Sequence, residues 1–459
     1  MKRIYFILFL LGGLFFSDRG ISQSAFKKGD RICFIGNSIT NNGGFHHNVA
    51  LYYATRFPTD EVRFINCGIG GNVAANVIAR MDSDIIVYRP TAAVVMLGMN
   101  DVKKDLYTKE AAAKPNIQQL RQEALDVYKK NYETVIQLLL KNNCKVTLQT
   151  PSIYDQTAVL SDQPLTGRND ALETCAGYVK ALGEKYKLPV VDYWTILHNL
   201  TRQVQANNPS VTLISADRVH PGGTGHFIMA YEFLKTTMGP APVSELLIDL
   251  TKTNGQPAAK NGQLSAFSAD TQGCRFSWLE KALPFPVPND AVKALDLVPF
   301  TKELNREILT VKGLNSGKYN LKIDGNLVGS YTDAEWTTGI DLSTNNKTPQ
   351  YKQAQQVLKL FQQCWQLEGP YRYMRGMEFG RLRAKNVFSL ADAERYFENQ
   401  SKQLTDTAAA AYKELQGHLK NYLPLKRKEQ EMLDKIEALH KTIYETAHPV
   451  VHQFQITKE

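Results

Sequence analysis

The chain has 459 residues, 43% of them hydrophobic and 22% charged, with 54 Lys and Arg against 45 Asp and Glu. That length exceeds one ordinary domain and predicts two or three, and the composition is globular, which excludes a disordered or collagen-like chain. The formal charge of +9 suits an anionic surface or a polysaccharide; no nucleic-acid-binding module accompanies it, so no nucleic-acid partner is expected.

At the start, Lys2 and Arg3 precede the apolar run "IYFILFLLGGLFF" (4–16) and the small, polar stretch "SDRGISQSA" (17–25). A positive segment, a short apolar segment and a cleavage zone near Ser22 make 1–22 a signal peptide, so a secreted or periplasmic protein is expected. The run is short for a membrane-spanning helix, and no later segment reads as a stable membrane span.

From 28 to 238, β-rich runs alternate with helical patterns. Strands are expected at 31–36, 62–66, 92–97, 144–150 and 188–193, and helices at 45–56, 72–81, 116–141, 168–186 and 225–238. Buried strands joined by helical crossovers predict an α/β fold: a three-layer α/β/α sandwich around a five-stranded parallel sheet, flavodoxin-like in plan. Ligands bind beyond the carboxyl ends of such strands.

After the linker-like "GPAPVSE" (239–245), apolar–polar alternation predicts a small antiparallel β-rich module over 244–345, with a hairpin turn at "DGN" (324–326). From 347 to 459 the pattern is helical. Val357, Phe361, Cys364 and Trp365 share one face, Met432, Ile436, Leu439 and Ile443 share another, and Pro424 divides the helices around it. This predicts a helical hairpin or bundle packed on the β-module or on another chain, which leaves room for a homo-oligomer. The six cysteines have no CxxC and no zinc-type spacing; Cys33, Cys67 and Cys144 lie in strand-like runs and read as buried thiols. No metal and no cofactor are expected.

Four segments follow strands or close the α/β region. They are "GNSIT" (36–40), with Ser38 opening a helix; "NCGIGGN" (66–72); "LGMND" (97–101); and "SADRVHPGGTGH" (215–226), with Asp217 and His220 three apart. Together, and in this order, they resemble the four motif blocks of the SGNH (GDSL-type) hydrolases over 28–238. The resemblance implies an esterase that forms an acyl-enzyme on Ser38, with Ser38, Asp217 and His220 as its catalytic residues. The chemistry is coherent: a serine hydroxyl needs a base, histidine titrates near neutrality, and an aspartate fixes the imidazole tautomer. The family pattern also implies an oxyanion hole from the Ser38 N–H, the Gly71 N–H and the Asn100 side-chain amide. Gly71 is chosen because it stands five residues after Asn66. Asn37 departs from the pattern, which more often has aspartate there.

Asn37 and Tyr154 are candidate substrate-binding residues, Tyr154 because it follows the fourth strand. His46 and His47 are expected on an exposed helix face, Asp101 in a loop-holding role, His226 at a helix end, and the four tryptophans in cores. Exported relatives with β-modules resemble carbohydrate O-acetylesterases, which makes an acetylated polysaccharide or oligosaccharide the expected substrate. The alternatives are a lipase, lysophospholipase or thioesterase taking longer acyl chains, or a non-catalytic glycan-binding protein.

Overall fold

The computed structural model describes residues 25–252, 257–270, 272–404 and 409–459; the expected signal peptide lies outside them. β1 (Arg31–Gly36) carries five consecutive buried residues, as a strand covered on both faces should. It leads through α1 (Ser38–Asn42) and α2 (Gly44–Arg56) to β2 (Arg63–Gly68), α3 (Ala74–Ala79), β3 (Ala92–Met96), α4 (Lys109–Ala112) and α5 (Ile117–Lys141). β4 (Lys145–Gln149), α6 (Arg168–Tyr186), β5 (Val190–Val191), α7 (Tyr193–Asn207) and α8 (Gly223–Met238) complete this part. The strands form one parallel sheet in the order β2-β1-β3-β4-β5, and the α/β fold is the one the sequence predicts. The order reverses beside β1. The carboxyl ends of β1 and β3 therefore frame the crevice in which such sheets bind ligands. α7 is absent from the sequence reading: it follows a two-residue strand, with Asp192 capping it through the Thr195 N–H.

The chain continues through β6 (Ser244–Asp249), β7 (Ala258–Lys260), β8 (Gly262–Asp270), β9 (Gly273–Glu280), α9 (Phe300–Leu304), β10 (Glu307–Lys312), β11 (Lys318–Ile323), β12 (Asn326–Thr332), α10 (Asp333–Thr338) and β13 (Ile340–Asp341). Four helices follow: α11 (Pro349–Met377), α12 (Leu390–Gln403), α13 (Ala410–Arg427) and α14 (Glu429–Ala447), and then β14 (His452–Lys458). The predicted turn joins β11 to β12, with Asp324 and Gly325 both at positive φ (50° and 79°), as a two-residue hairpin of this kind requires. Two sheets, β13-β10-β6-β7 and β12-β11-β14-β9-β8, share a core that includes Leu246, Phe276, Trp278, Leu309, Leu321 and Phe454. The module is mixed rather than purely antiparallel, because β6 and β10 run parallel.

Three boundaries differ from expectation. The stretch 283–304, expected in the β-module, packs into the core of the α/β part: Phe285 and Phe300 lie against Phe227, and the Leu283 N–H donates to Thr55 O. Burying each such aromatic contributes about 1.5–3 kcal/mol, and this holds the loop on α8. Residues 452–458, expected as helix, form β14 between β11 and β9, because "HQFQITK" alternates with period two. Pro424 lies inside α13, where it lacks the N–H that would donate to Lys420 O, and the break falls at Lys428 instead. The apolar faces of α11 and α14 also have a different partner. Val357, Phe361, Ile443 and Tyr444 belong to the core of the α/β part. α12 and α13 form a smaller cluster with the far end of α11, around Met374, Phe397 and Tyr422.

Candidate active site

The turn after β1 sets the position of Ser38. A side chain on Gly36 would place Cβ 2.1 Å from Thr40 Oγ1 and 2.8 Å from Met96 O, so only glycine lets α1 start this close to the strand end. Asn37 is buried, and its Oδ1 accepts the Ile39 N–H at 3.0 Å as the cap of α1. Against the expectation of an Asn37 that meets substrate, the side chain is buried and its Oδ1 caps the turn.

Ser38 Oγ lies 2.7 Å from His220 Nε2, and His220 Nδ1 lies 2.6 Å from Asp217 Oδ2. The other Asp217 oxygen accepts the Val219 N–H (2.9 Å), the His220 N–H (3.0 Å) and the Ser215 hydroxyl (2.8 Å). Partial burial raises the Asp217 pKa, but the bonds to His220 and the backbone N–H groups outweigh it and hold the carboxyl well below the usual range. A residue between the two, Arg218, was missed by the sequence reading. It has φ +64°, is buried, and donates from Nη1 to Asp155 O (2.9 Å) and Ala158 O (3.0 Å). Its guanidinium ties the Asp217–His220 turn to the loop after β4. An arginine at an otherwise unremarkable position gave no signal of this.

Gly71 has φ +76° and faces open space, a conformation that favours glycine. Asn100 Nδ2 donates to Asn72 O at 3.1 Å, which joins the segments after β3 and β2. Asp101 holds the loop, as expected: its carboxylate accepts the Ala74 N–H (2.8 Å) and the Gly98 N–H (3.0 Å), while burial pushes its pKa up to about 6. Gly71 and Asn100 share a surface depression of about 360 Å³ with Lys103, Lys104, Asp105 and Arg168. Tyr154 does not offer a free hydroxyl there. It is buried, its oxygen accepts the Leu165 N–H at 3.0 Å, and the Arg168 guanidinium sits 4.8 Å from its ring. The expectation of a substrate-facing Tyr154 is corrected: it supports Arg168 and the loop.

A separate cavity of about 460 Å³ lies between β2, α2, α11 and α14, and neither Ser38, Asp217 nor His220 lines it. His46 and His47, expected to be exposed, reach its polar end. His46 is buried with Nε2 3.0 Å from Thr40 O, and burial lowers its pKa to about 4. His47 Nε2 lies 2.7 Å from Glu368 Oε1, and its ring stacks on Trp365. These two histidines and Glu368 lie close enough to share an ion, and both Nε2 atoms and Glu368 Oε1 are engaged in the bonds just given. His226 stands in the first turn of α8, as expected, but is buried beside Phe45, and burial lowers its pKa to about 3. The six cysteines are free thiols. Trp194, Trp278 and Trp336 are core residues.

Residues 34–228 match the model of the GDSL-like lipase/acylhydrolase family. Over 230 residues, 45% of this chain and 93% of the relative, the sequence is 24% identical to an acetylxylan esterase of Geobacillus stearothermophilus. A crystal structure of an acetylxylan esterase from that organism matches with a TM-score of 0.38 at 22% identity, covering 47% of this chain and 96% of the other. The structure of a gut microbial diltiazem-metabolizing enzyme matches with a TM-score of 0.85 at 28% identity, covering 95% of this chain and 98% of the other. The β-module and the helical region thus recur together with the α/β part. From residue 34 to residue 228, the chain carries a domain of the GDSL-like lipase/acylhydrolase family.

Proposed function

We propose that the protein is a serine esterase that removes acetyl groups from carbohydrate. The observation that carries this reading is the unbroken hydrogen-bonded chain from Ser38 Oγ through His220 to Asp217. His220 Nε2 takes the Ser38 proton as Oγ attacks the ester carbonyl, and Asp217 stabilises the imidazolium. The tetrahedral oxyanion accepts the N–H groups of Ser38 and Gly71 and the Asn100 amide. Collapse expels the alcohol, which takes the proton from His220 and leaves an acetyl group on Ser38. Water, deprotonated by His220, then releases acetate and restores the serine.

Three observations favour a sugar acetate over a long-chain ester. The depression holding Gly71 and Asn100 carries the charged side chains of Lys103, Lys104, Asp105 and Arg168 on its walls, which suit hydroxyl-rich substrates. Acetylxylan esterase is the printed activity of the curated relative. Diltiazem, named for the structural relative, is itself an acetate ester of a secondary alcohol. The N-terminal pattern supports export to the periplasm or the cell exterior; the mature protein is expected to begin near residue 23, as N-terminal sequencing would read.

Hydrolysis of p-nitrophenyl esters is expected to be fastest for acetate and to fall steeply with chain length, with acetate released from acetylated xylan. A maximum at eight carbons or more would instead favour a lipase. Ser38→Ala is expected to abolish turnover; retention of most activity would overturn the assignment of Ser38 as the nucleophile.

A further inference from the structure

The carboxyl end of β2 is gripped from a helix about three hundred residues later in the chain. Glu368 Oε1 of α11 accepts Asn66 Nδ2 at 2.8 Å and lies 2.7 Å from His47 Nε2. The same Asn66 amide also donates to Asn41 O in α1 (3.1 Å), and its Oδ1 accepts the Gly68 N–H (2.9 Å). One turn along α11, Arg372 donates to Gly68 O from Nε (3.1 Å) and Nη2 (3.0 Å), while its guanidinium also pairs with the buried Asp84. On the opposite side Gly68 abuts α1: a Cβ there would fall 2.2 Å from Asn41 N. Gly68 is therefore pinned between α1, which carries Ser38, and α11. Three residues later in the chain stands Gly71, whose N–H the proposed mechanism aims at the oxyanion.

A helix that only covered the sheet would need apolar side chains alone. α11 instead sends an acid and an arginine, Glu368 half-buried and Arg372 buried, onto the amide and carbonyl groups of one motif segment. Burial disfavours the Glu368 charge, but His47 and Asn66 outweigh it and bring its pKa to about 2, so the grip is ionic at neutral pH. We propose that Glu368 and Arg372 are positioning residues for ester hydrolysis, fixing the segment 66–72 so that the Gly71 N–H meets the oxyanion beside Ser38. The proposal rests on the esterase reading above, and it makes the helical region part of the catalytic unit.

The test is steady-state kinetics on p-nitrophenyl acetate with Glu368→Ala, Glu368→Gln and Arg372→Met in the full chain. A displacement of about 1 Å in a reacting geometry costs about 10²-fold, so Glu368→Ala and Arg372→Met are expected to lower kcat by about 10- to 100-fold with KM within about twofold. Affinity for a boronic acid that mimics the tetrahedral adduct should fall with kcat. Glu368→Gln keeps an acceptor for Asn66 and should recover most of the loss, which a merely structural effect on the helix would not predict. In Arg372→Met, Asp84 keeps Arg80 and Arg375, so the variant is not left with an unpaired buried acid. If Glu368→Ala does not fold, Arg372→Lys carries the same test, since lysine keeps the charge but not the fork on Gly68 O. A folded Glu368→Ala or Arg372→Lys with kcat within twofold of the parent overturns the proposal. If Ser38→Ala is inactive in that same assay, the esterase reading survives; if Ser38→Ala is active, it is that reading which fails.

Discussion

Ser38 Oγ and His220 Nε2 lie 2.7 Å apart although 182 positions separate them in the chain. The parallel sheet makes this possible: the turn after β1 presents one, and the loop leading into α8 presents the other. The hydrogen bond in turn fixes which imidazole nitrogen faces the serine, because Nδ1 is engaged with Asp217.

His220→Ala is expected to reduce kcat by about 10⁴-fold or more, and Asp217→Asn by a smaller factor of about 10²–10⁴. Ser38→Ala combined with His220→Ala should cost little beyond either alone, since the two act as one unit. Stopped assays on p-nitrophenyl acetate with each variant and the pair measure this; additive losses would contradict a shared role.

Asn100→Ala removes one of the donors proposed for the oxyanion without touching the Ser38–His220 pair. The expected effect is a fall of about 10²–10³ in kcat, with KM little changed. A rise in KM at constant kcat would assign Asn100 to ground-state binding instead.

Two buried histidines make stability depend on pH. Burial lowers His46 to about 4 and His226 to about 3, against about 6.5 in an unfolded chain. Below pH 6.5 the unfolded state therefore binds protons that the folded state excludes. Stability is full above that pH, declines as pH falls, and stops declining below about 3, with a slope of up to about 1.4 kcal/mol per pH unit for each histidine. Urea unfolding from pH 8 to pH 4 would read the decline. His226→Phe, in a pocket where neither ring nitrogen has a partner, should flatten it; an unchanged slope would show that His226 takes no part.

The strand-end segments were legible because each is local. A glycine turn, a capping asparagine and the Asp217–His220 spacing lie within a few residues of one another, and the parallel sheet follows from buried runs separated by helical periods. What the sequence concealed is long-range. Asn66 finds Glu368 302 positions away, and nothing near either residue announces the pairing. His46 sits on a helix whose two sides are both covered, so its polarity suggested an exposure it does not have. Tyr154 stands at a strand end, as a ligand-contacting residue would, but the loop that follows folds back and consumes its hydroxyl. Period two in residues 452–458 was present in the sequence, yet it followed a long helical pattern that masked it.

β14 joins strands completed far earlier: His452 pairs with Trp278, and Phe454 with both Phe276 and Ile323. During synthesis β9 and β11 emerge long before the strand that belongs between them, and α11 to α14 must be made in the interval. Until then each presents an unpaired row of amides and carbonyls, the kind of edge that recruits other chains. A ribosome that stalls before residue 452 therefore releases a product with a finished hydrolase sheet and an open, adhesive second one. The second sheet closes only when strand 452–458 arrives to pair with both β9 and β11.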